Sequence, residues 1–219
     1  MTIPNEKLQK LIDQSDIERV LGLYCRAIDR LDLELLRSLY HPDAIDDHGA
    51  FCGNAHEFAD YIIANLRDAI IDGMHTVTHS VIDIEGDFAA SEAYYVAYQT
   101  CHGGLENVRG FFGERYADSQ LAAGAIDGPQ DYICGGRYLD VFERRAGVWK
   151  IRHRKITNEW GIVQPNSHIK DQGHLAHFNL PGKRDRTDYV YRISPPECPS
   201  LASYLRDTLA SLKDNVSAP

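Results

Sequence analysis

Apolar positions near the start of the chain follow the three- and four-residue spacing of a helix. They form one stripe, made of Ile17, Val20, Leu21, Tyr24, Ala27, Ile28 and Leu31. Ser15 with Glu18 three residues later is a capping box, which predicts that this helix begins at Ser15. A second, short helix is predicted over 33–40, with Asp32 as its N-cap and Pro42 just beyond its end. A third is predicted over 54–70.

From residue 75 onward the pattern changes to β-branched residues, which favour strands. Strands are predicted over 75–84 and 88–101, with a turn at 85–87 between them, and a short one over 44–48. Residues 102–130 contain six Gly, one Pro and no clear period, which predicts an insertion or long loop that could cover a pocket. Two last strands, over 132–145 and 148–160, are joined by a turn at 146–147.

Three helices followed by antiparallel strands indicate the α+β class. We expect three helices packed on one curved antiparallel sheet, forming a cone around an apolar cavity that suits a small molecule. This cone domain is predicted over 1–162, with its insertion at about 102–130. The remainder, 163–219, is predicted to be an extension that packs on the domain or on a neighbouring subunit, with a last helix at 201–213.

The composition is that of an ordinary globular protein, with 43% hydrophobic and 25% charged residues. The net charge of −9 argues against nucleic acid as a partner, which needs a basic surface. The chain contains no run of about 18 apolar residues and begins without a signal-peptide pattern, so we expect a cytoplasmic protein that does not enter a membrane. The five cysteines lack CxxC spacing, which indicates buried free thiols.

One carboxylate and two imidazoles are candidates for proton transfer. Asp29 lies at the end of the first helix, where it opposes the helix dipole and calls for a partner. His75 and His79 alternate with Val77 and Val81 on one strand face, so both imidazoles line the cavity if that face is concave. A His bonded to a buried carboxylate is a general-base arrangement. The alternatives are a solvated helix end for Asp29 and a core or rim position for either His.

The last predicted strand is rich in basic residues. Alternation places Lys150, Arg152 and Arg154 on one side of it, unless a bulge intervenes. One guanidinium inside a closed cavity would stabilise an oxyanion or a departing anion, whereas a solvated sheet edge is the alternative. No further metal-ligand pattern accompanies the two histidines, and nucleotide-binding loops and a GxSxG elbow are absent from the sequence, so neither a metal nor a cofactor is predicted.

Three segments together resemble the SnoaL-like (nuclear-transport-factor-like) proteins. Residues 17–30, IERVLGLYCRAIDR, resemble the first helix of that family, and residues 32–44 match its second helix and the following turn. Residues 137–154 look like its closing pair of strands. The resemblance covers about residues 8–162 and is strongest to the branch that holds scytalone dehydratase, bile-acid 7α-dehydratase, hexachlorocyclohexane dehydrochlorinase and cofactor-free lyases of lignin-derived diaryl compounds.

This resemblance implies a cofactor-independent lyase with an Asp–His dyad. It places Asp29 and His79 at the dyad, Tyr24 at the dehydratase tyrosine and Arg154 at the dehydrochlorinase arginine. In the mechanism it implies, His79, oriented by Asp29, removes a proton from a small cyclic or aromatic substrate. Tyr24 and Arg154 steady the developing charge or the leaving group. Loss of water is expected, or of another small group such as formaldehyde.

Five further residues are expected to bind the substrate: His75, Tyr138, Tyr98, Asn158 and Trp160. Related proteins are dimers or trimers, so a homo-oligomer is expected. Two alternatives remain open from the sequence. One is an isomerase that uses the same base and returns the proton to another carbon. The other is a binding module or a non-catalytic subunit, such as the small subunit of a ring-hydroxylating oxygenase.

Overall fold

A computed structural model describes residues 5–169, 171–177 and 182–193. The elements in chain order are α1 (Asn5–Asp29), α2 (Leu33–Ser38), β1 (Tyr40–Asp47), β2 (Cys52–Asn54), α3 (Ala55–Ala69), β3 (Ile70–Glu85), β4 (Phe88–Cys101), α4 (Leu105–Phe112), α5 (Glu114–Ala122), β5 (Gln130–Arg145), β6 (Val148–Pro165), a 3-10 helix (Gly173–His177) and α6 (Val190–Ile193).

The six strands form one curved sheet in the order β2-β1-β6-β5-β4-β3. The helices α1 and α3 pack on it, which confirms the predicted α+β cone. Four of the five strand pairs are antiparallel, but β1 lies parallel to β6, so the expectation of a purely antiparallel sheet is wrong. These two strands are far apart in sequence, and no hairpin therefore fixes their relative direction.

A bulge in β3 decides which of its side chains enter the cone. Val77 pairs with Tyr95 and His79 pairs with the next residue, Tyr94, which leaves Thr78 as an extra residue. Because one extra residue reverses the in–out alternation beyond it, the two parts of β3 present opposite sets of positions to the interior. His75 and Val77 therefore face inward, whereas His79 faces outward and is exposed.

A second bulge reverses the alternation of β6. Arg152 is the extra residue between Ile151 and His153, which pair with adjacent residues of β5. The simple alternation that grouped Arg154 with Arg152 therefore fails. Arg154 joins Ile151 on the inner side and is fully buried.

The first helix begins at Asn5, so the start predicted at Ser15 is wrong. Its early turns are held to the sheet through Asp13, which is only 4% exposed. The Asp13 carboxylate accepts hydrogen bonds from Trp149 Nε1 at 3.0 Å and from Arg144 Nη1 at 2.7 Å. This tertiary anchoring extends the helix beyond the local capping signal, because packing supplies most helical stability in proteins.

The C-terminal end of α1 closes tightly and starts α2. Leu31 adopts a left-handed conformation, with φ of 51°, and the Asp32 N–H donates to Ala27 O at 2.9 Å. This pattern is a Schellman-type cap. The Asp32 carboxylate then accepts from Leu35 N at 3.2 Å, which confirms Asp32 as the N-cap of α2. The chain thus turns away immediately after Asp29 and leaves its carboxylate at the end of the helix.

A single large core fills the space between the helices and the inner face of the sheet. Its fully buried members include Ile17, Leu21, Tyr24, Leu36, Tyr40, Ile63, Tyr138, Phe142 and Ile151. Each such side chain contributes about 1.5–3 kcal/mol relative to an exposed position. The stripe predicted on the first helix is therefore confirmed as its packing face.

The segment 102–130, predicted to be an insertion or a long loop, contains helices α4 and α5, so the alternative of a long loop is wrong. Val108, Ala117 and Ile126 are buried together in a small apolar cluster of this segment. Gly104 and Gly113, both with positive φ, precede the two helices. Two of the six glycines that suggested a loop are therefore the N-caps of short helices.

Part of the C-terminal extension contacts the end of α1. The Arg30 guanidinium donates to Asp188 Oδ2 at 3.1 Å and to Lys183 O at 2.7 Å. Tyr191 Oη donates to Asp32 Oδ2 at 2.8 Å. The boundary between a domain of residues 1–162 and an extension stays a prediction, and the helix predicted at 201–213 lies outside the described residues.

Four cysteines lie in the described part of the chain, all as free thiols. Cys25, Cys101 and Cys134 are buried as predicted, whereas Cys52 is exposed. Cys198 is outside the described residues. None of the described helices combines the length and the apolar character that a membrane crossing requires.

Candidate active site

A cavity of about 880 Å³ lies between helices α1, α3 and α4 and the inner face of the sheet. This volume suits a small molecule. Its walls are mainly aliphatic and aromatic, with contributions from Ile28, Phe58, Ile62, Leu66, Phe111 and Ile156. The polar groups that line it are Tyr24, His48, Asn65, Asp68, His75, Tyr95, Gln99, Asn107, Tyr132, Tyr138 and Asn158. Helix α4 forms part of the wall, so the 102–130 segment does border the pocket.

The carboxylate of Asp29 is joined to His75, the imidazole of the inward-facing part of β3. His75 Nδ1 lies 2.7 Å from Asp29 Oδ1. The backbone N–H of His75 also donates to the two carboxylate oxygens, at 3.1 and 3.0 Å. Both side chains are largely shielded, with 12% of His75 and 7% of Asp29 exposed. Three contacts in a shielded position fix the imidazole relative to the helix end.

This pairing selects one tautomer of the neutral His75 ring. A carboxylate only accepts hydrogen bonds, so the proton of the neutral imidazole lies on Nδ1. The second ring nitrogen, Nε2, is then unprotonated and is the nitrogen that a bound molecule can reach. A carboxylate in this position also stabilises the imidazolium that forms when Nε2 takes a proton. The geometry is that of a general base.

His79 is not the partner of Asp29, so the predicted Asp29–His79 pair is wrong. The Thr78 bulge turns His79 to the outer face of the sheet, where its ring stacks on Tyr94 with centroids 4.5 Å apart. It does not line the cavity. His75, expected among the substrate-binding residues, is the imidazole that contacts Asp29 instead.

Arg154 is buried beneath the cavity and does not line it, so the structure contradicts its expected contact with the substrate. Its Nε and Nη2 atoms donate to the Asp140 carboxylate at 2.7 and 2.6 Å. Its guanidinium carbon lies 3.9 Å from the ring centroid of Tyr24 and 4.3 Å from that of Tyr138. The charge is therefore matched by a carboxylate and covered by two rings, which indicates a structural role.

Two phenols line the cavity above this arginine. Burial raises the pKa of Tyr24 far above its usual value despite the opposing effect of Arg154, and burial also raises that of Tyr138. Both hydroxyls therefore stay protonated at neutral pH and can donate hydrogen bonds. The expected positions of Tyr24 and Tyr138 in the cavity agree with the structure.

Of the other residues expected to bind substrate, Asn158 lines the cavity and the remaining two do not. Asn158 Nδ2 donates to Tyr132 Oη at 2.8 Å. Tyr98 lies on the outer side of β4, where it contacts Asp131 at 2.9 Å, and Trp160 is 46% exposed and covers Gly135. The strand alternation that places Ala97 and Gln99 inside excludes their neighbour Tyr98.

His48 lines the same cavity but was not among the site residues predicted from the sequence. Its Nδ1 lies 2.7 Å from Asp46 Oδ1. The spacing Asp-x-His places both side chains on one face of an extended segment, and this signal was available in the sequence. Among the described residues there is no group of three or more His, Cys, Asp or Glu side chains arranged to hold a metal ion.

Comparisons with known proteins agree with this architecture. The sequence model of the SnoaL-like domain matches residues 9–155. The sequence matches no curated protein. Among solved structures, the chain is similar to hexachlorocyclohexane dehydrochlorinase LinA-type3 from Novosphingobium barchaimii, with a TM-score of 0.58 and 17% identity over 74% of this chain and 97% of that one.

Two further solved structures are similar to the chain. One is a proposed scytalone dehydratase from Novosphingobium aromaticivorans, with a TM-score of 0.54 and 17% identity over 73% of this chain and 91% of that one. The other is the Kfla4162 protein from Kribbella flavida, with a TM-score of 0.55 and 18% identity over 70% and 95% of the two chains. At these identities the likeness concerns the fold.

Proposed function

The chain belongs to the SnoaL-like domain family, and on that premise we propose that it is a cofactor-independent lyase whose general base is His75. The observation that carries the proposal is the 2.7 Å contact between His75 Nδ1 and the shielded Asp29 carboxylate at the wall of a mainly apolar cavity. This replaces His79, expected from the sequence, as the base.

The proposed reaction is an elimination from a small cyclic or aromatic substrate. His75 Nε2 takes a proton from a carbon that is acidified by a neighbouring carbonyl or ring. The electron pair forms a double bond, and a small group, by default water, leaves. In a loss of formaldehyde the same base takes the hydroxyl proton of a hydroxymethyl arm, the C=O bond of formaldehyde forms, and the C–C bond breaks with its electron pair left on the other carbon, where it forms a double bond by expelling a neighbouring hydroxyl group as water. General-base catalysis of this kind contributes about 10²–10⁴-fold to the rate.

The cavity supplies what this reaction needs besides the base. Phe58 and Phe111 offer flat apolar walls for a ring. The neutral phenols of Tyr24 and Tyr138 can donate hydrogen bonds to an oxygen that gains negative charge, and such bonds are stronger where water is excluded. The similar hexachlorocyclohexane dehydrochlorinase, as its name states, also removes a small group from a ring compound. A homo-oligomer and a cytoplasmic location stay predictions.

The test compares three variants on a panel of aryl β-hydroxy ketones and hydroxylated dihydroaromatic compounds. His75→Gln removes the base, Asp29→Asn removes the carboxylate, and His79→Gln is the matched control on the same strand. Turnover is followed by liquid chromatography and mass spectrometry in ordinary and deuterated water. We expect His75→Gln to lower kcat by about 10²-fold or more, and His79→Gln to leave it within about 2-fold.

Three outcomes would refute the proposal. Turnover of His75→Gln at the wild-type rate would remove His75 as the base. A product of unchanged mass that carries solvent deuterium at a new carbon would identify an isomerase. Binding of panel members to the wild-type protein without any conversion would favour the non-catalytic alternative.

A further inference from the structure

His48 is a second imidazole that the base mechanism leaves unused. It follows β1 directly, and its side chain is 18% exposed at the cavity wall. Its ring stacks on Phe58, with centroids 4.4 Å apart and an interplanar angle of 28°. This packing, together with the 2.7 Å contact to Asp46, fixes the ring in one orientation.

The carboxylate behind His48 is wholly inaccessible to solvent. The side chain of Asp46 is 0% exposed. Its Oδ2 accepts a hydrogen bond from Tyr40 Oη at 2.6 Å, and its Oδ1 contacts His48. A buried carboxylate is costly unless it is paired and hydrogen-bonded, and its pairing with an imidazolium offsets that cost. The contact with Asp46 holds His48 Nδ1 toward the carboxylate and leaves Nε2 as the second ring nitrogen.

The cavity thus receives two imidazoles, each oriented through Nδ1 by a carboxylate, from two separate parts of the fold. Elimination of a hydroxyl group requires two proton transfers at two different atoms. One proton leaves a carbon, and another must reach the departing oxygen, because hydroxide is a poor leaving group. A single dyad makes both transfers only if one imidazole carries the proton from the carbon to the oxygen, whereas two imidazoles can serve the two atoms separately.

We propose that His48, held by Asp46, is the general acid that protonates the leaving oxygen; this rests on the proposed function of His75 as the base. His75 Nε2 takes the carbon-bound proton, and the C–H electron pair becomes the new double bond. The C–O bond breaks with its electron pair on oxygen, and that oxygen takes the proton of His48 Nε2 to leave as water. Solvent then returns a proton to His48 and removes one from His75.

A cation of the C-terminal extension lies near Asp29. Arg184 interacts electrostatically with Asp29, and its guanidinium donates to the backbone oxygens of Leu66 and Ile70 at the cavity wall. Arg184 thus brings a cation to the side of the cavity that holds Asp29. In the proposed division of roles, His75 on that side accepts the proton and His48 supplies one.

The test uses two probes that differ only in the leaving group. One is an aryl β-hydroxy ketone, whose oxygen needs a proton to leave, and the other is its β-chloro analogue, which loses chloride without one. We expect His48→Gln to lower kcat by about 10²-fold on the hydroxy probe and by less than about 3-fold on the chloro probe. His75→Gln is expected to lower kcat on both probes, and His79→Gln is expected to lower it on neither.

Controls separate this proposal from the proposed function. If His48→Gln lowers kcat equally on both probes, or does not lower kcat on the hydroxy probe, the role of His48 as an acid is overturned. Wild-type rates of His75→Gln on both probes would instead overturn the base. Asp46→Asn, which keeps the shape of the carboxylate, should also lower kcat selectively on the hydroxy probe. An equal fall in kcat on both probes would again contradict the proposal. Circular dichroism and thermal melting verify that each variant is folded.

Discussion

Replacement of Arg154 by Met tests whether this residue is structural. The side chains of Arg154 and Asp140 are both 0% exposed, and two hydrogen bonds of 2.7 and 2.6 Å join them. Burial raises the pKa of the Asp140 carboxyl, and Arg154 opposes that effect. Met fills a similar volume but leaves the Asp140 carboxylate buried without its partner.

The expected cost follows from the burial. An exposed ion pair contributes about 0–1 kcal/mol, whereas removal of one partner of a buried pair costs about 3–5 kcal/mol. We expect the upper range, because the guanidinium also covers the rings of Tyr24 and Tyr138. If the free energy of unfolding falls by about 2–3 kcal/mol per M of urea, the midpoint of unfolding should fall by about 1–2.5 M.

The assay is urea unfolding followed by the fluorescence of Trp149 and Trp160 at one fixed protein concentration. A second variant, Arg154→Met with Asp140→Leu, removes both charges and should regain a large part of the lost stability. A midpoint of the single variant within about 0.3 M of wild type would refute the reasoning, as 1 kcal/mol or less is typical of an exposed pair. A double variant less stable than the single one would also refute it.

Three further predictions concern stability, pH and the phenol. Gly136→Ala places a Cβ 1.9 Å from Thr157 O. We expect the free energy of unfolding to fall by about 3 kcal/mol and Tm by about 6–12 °C. Gly110→Ala, which has open space around it, is the control and should not lower Tm. Burial would raise the pKa of Asp13, but hydrogen bonds to its carboxylate and the neighbouring Arg144 outweigh that effect and lower the pKa. The ionised Asp13 therefore stabilises the fold above pH of about 4, and this stabilisation is lost as the pH falls through the pKa of the folded state. Asp13→Asn should therefore unfold at a lower urea concentration than the wild type at neutral pH, and the difference between the two midpoints should narrow below pH of about 4. A difference that does not change with pH would contradict this. Tyr24→Phe removes a neutral donor and should lower kcat on the aryl β-hydroxy ketone by about 10-fold or more, and an unchanged kcat would exclude that role.

The parts of the fold that local sequence determines were predictable. The stripe on α1 became its packing face, and the turns at 85–87 and 146–147 join the expected hairpins. Asp29 ends its helix and Asp32 caps the next one, because both signals depend on residues a few positions away. The long start of α1 was not predictable from local signals, since contacts of Asp13 with distant residues hold it.

The identity of the base depended on one extra residue. Thr78 lies between two β-branched or polar neighbours like any strand residue, and nothing in its local sequence marks it as a bulge. Because alternation has a period of two, that single residue moves His79 from the inside to the outside and leaves His75 within reach of Asp29. The bulge at Arg152 changes the face of Arg154 in the same way.

The second imidazole was accessible to sequence reasoning. A strand ending near residue 48 was expected, and the Asp-x-His pattern of Asp46 and His48 on one strand face would have predicted a second pair. What sequence could not supply is that this segment and β3 border one cavity. Three strands lie between β1 and β3 in the sheet, and the two segments face the same cavity only because the sheet curves.

Proton abstraction can be measured separately from bond cleavage with an aryl ketone that lacks a leaving group. Exchange of its α-deuterium with water, followed by NMR, reports only the step assigned to His75. The wild-type protein, His79→Gln and His48→Gln should all exchange the α-deuterium at similar rates, and His75→Gln should fall by about 10²-fold or more toward the uncatalysed rate. Exchange by His75→Gln at the wild-type rate would contradict the account.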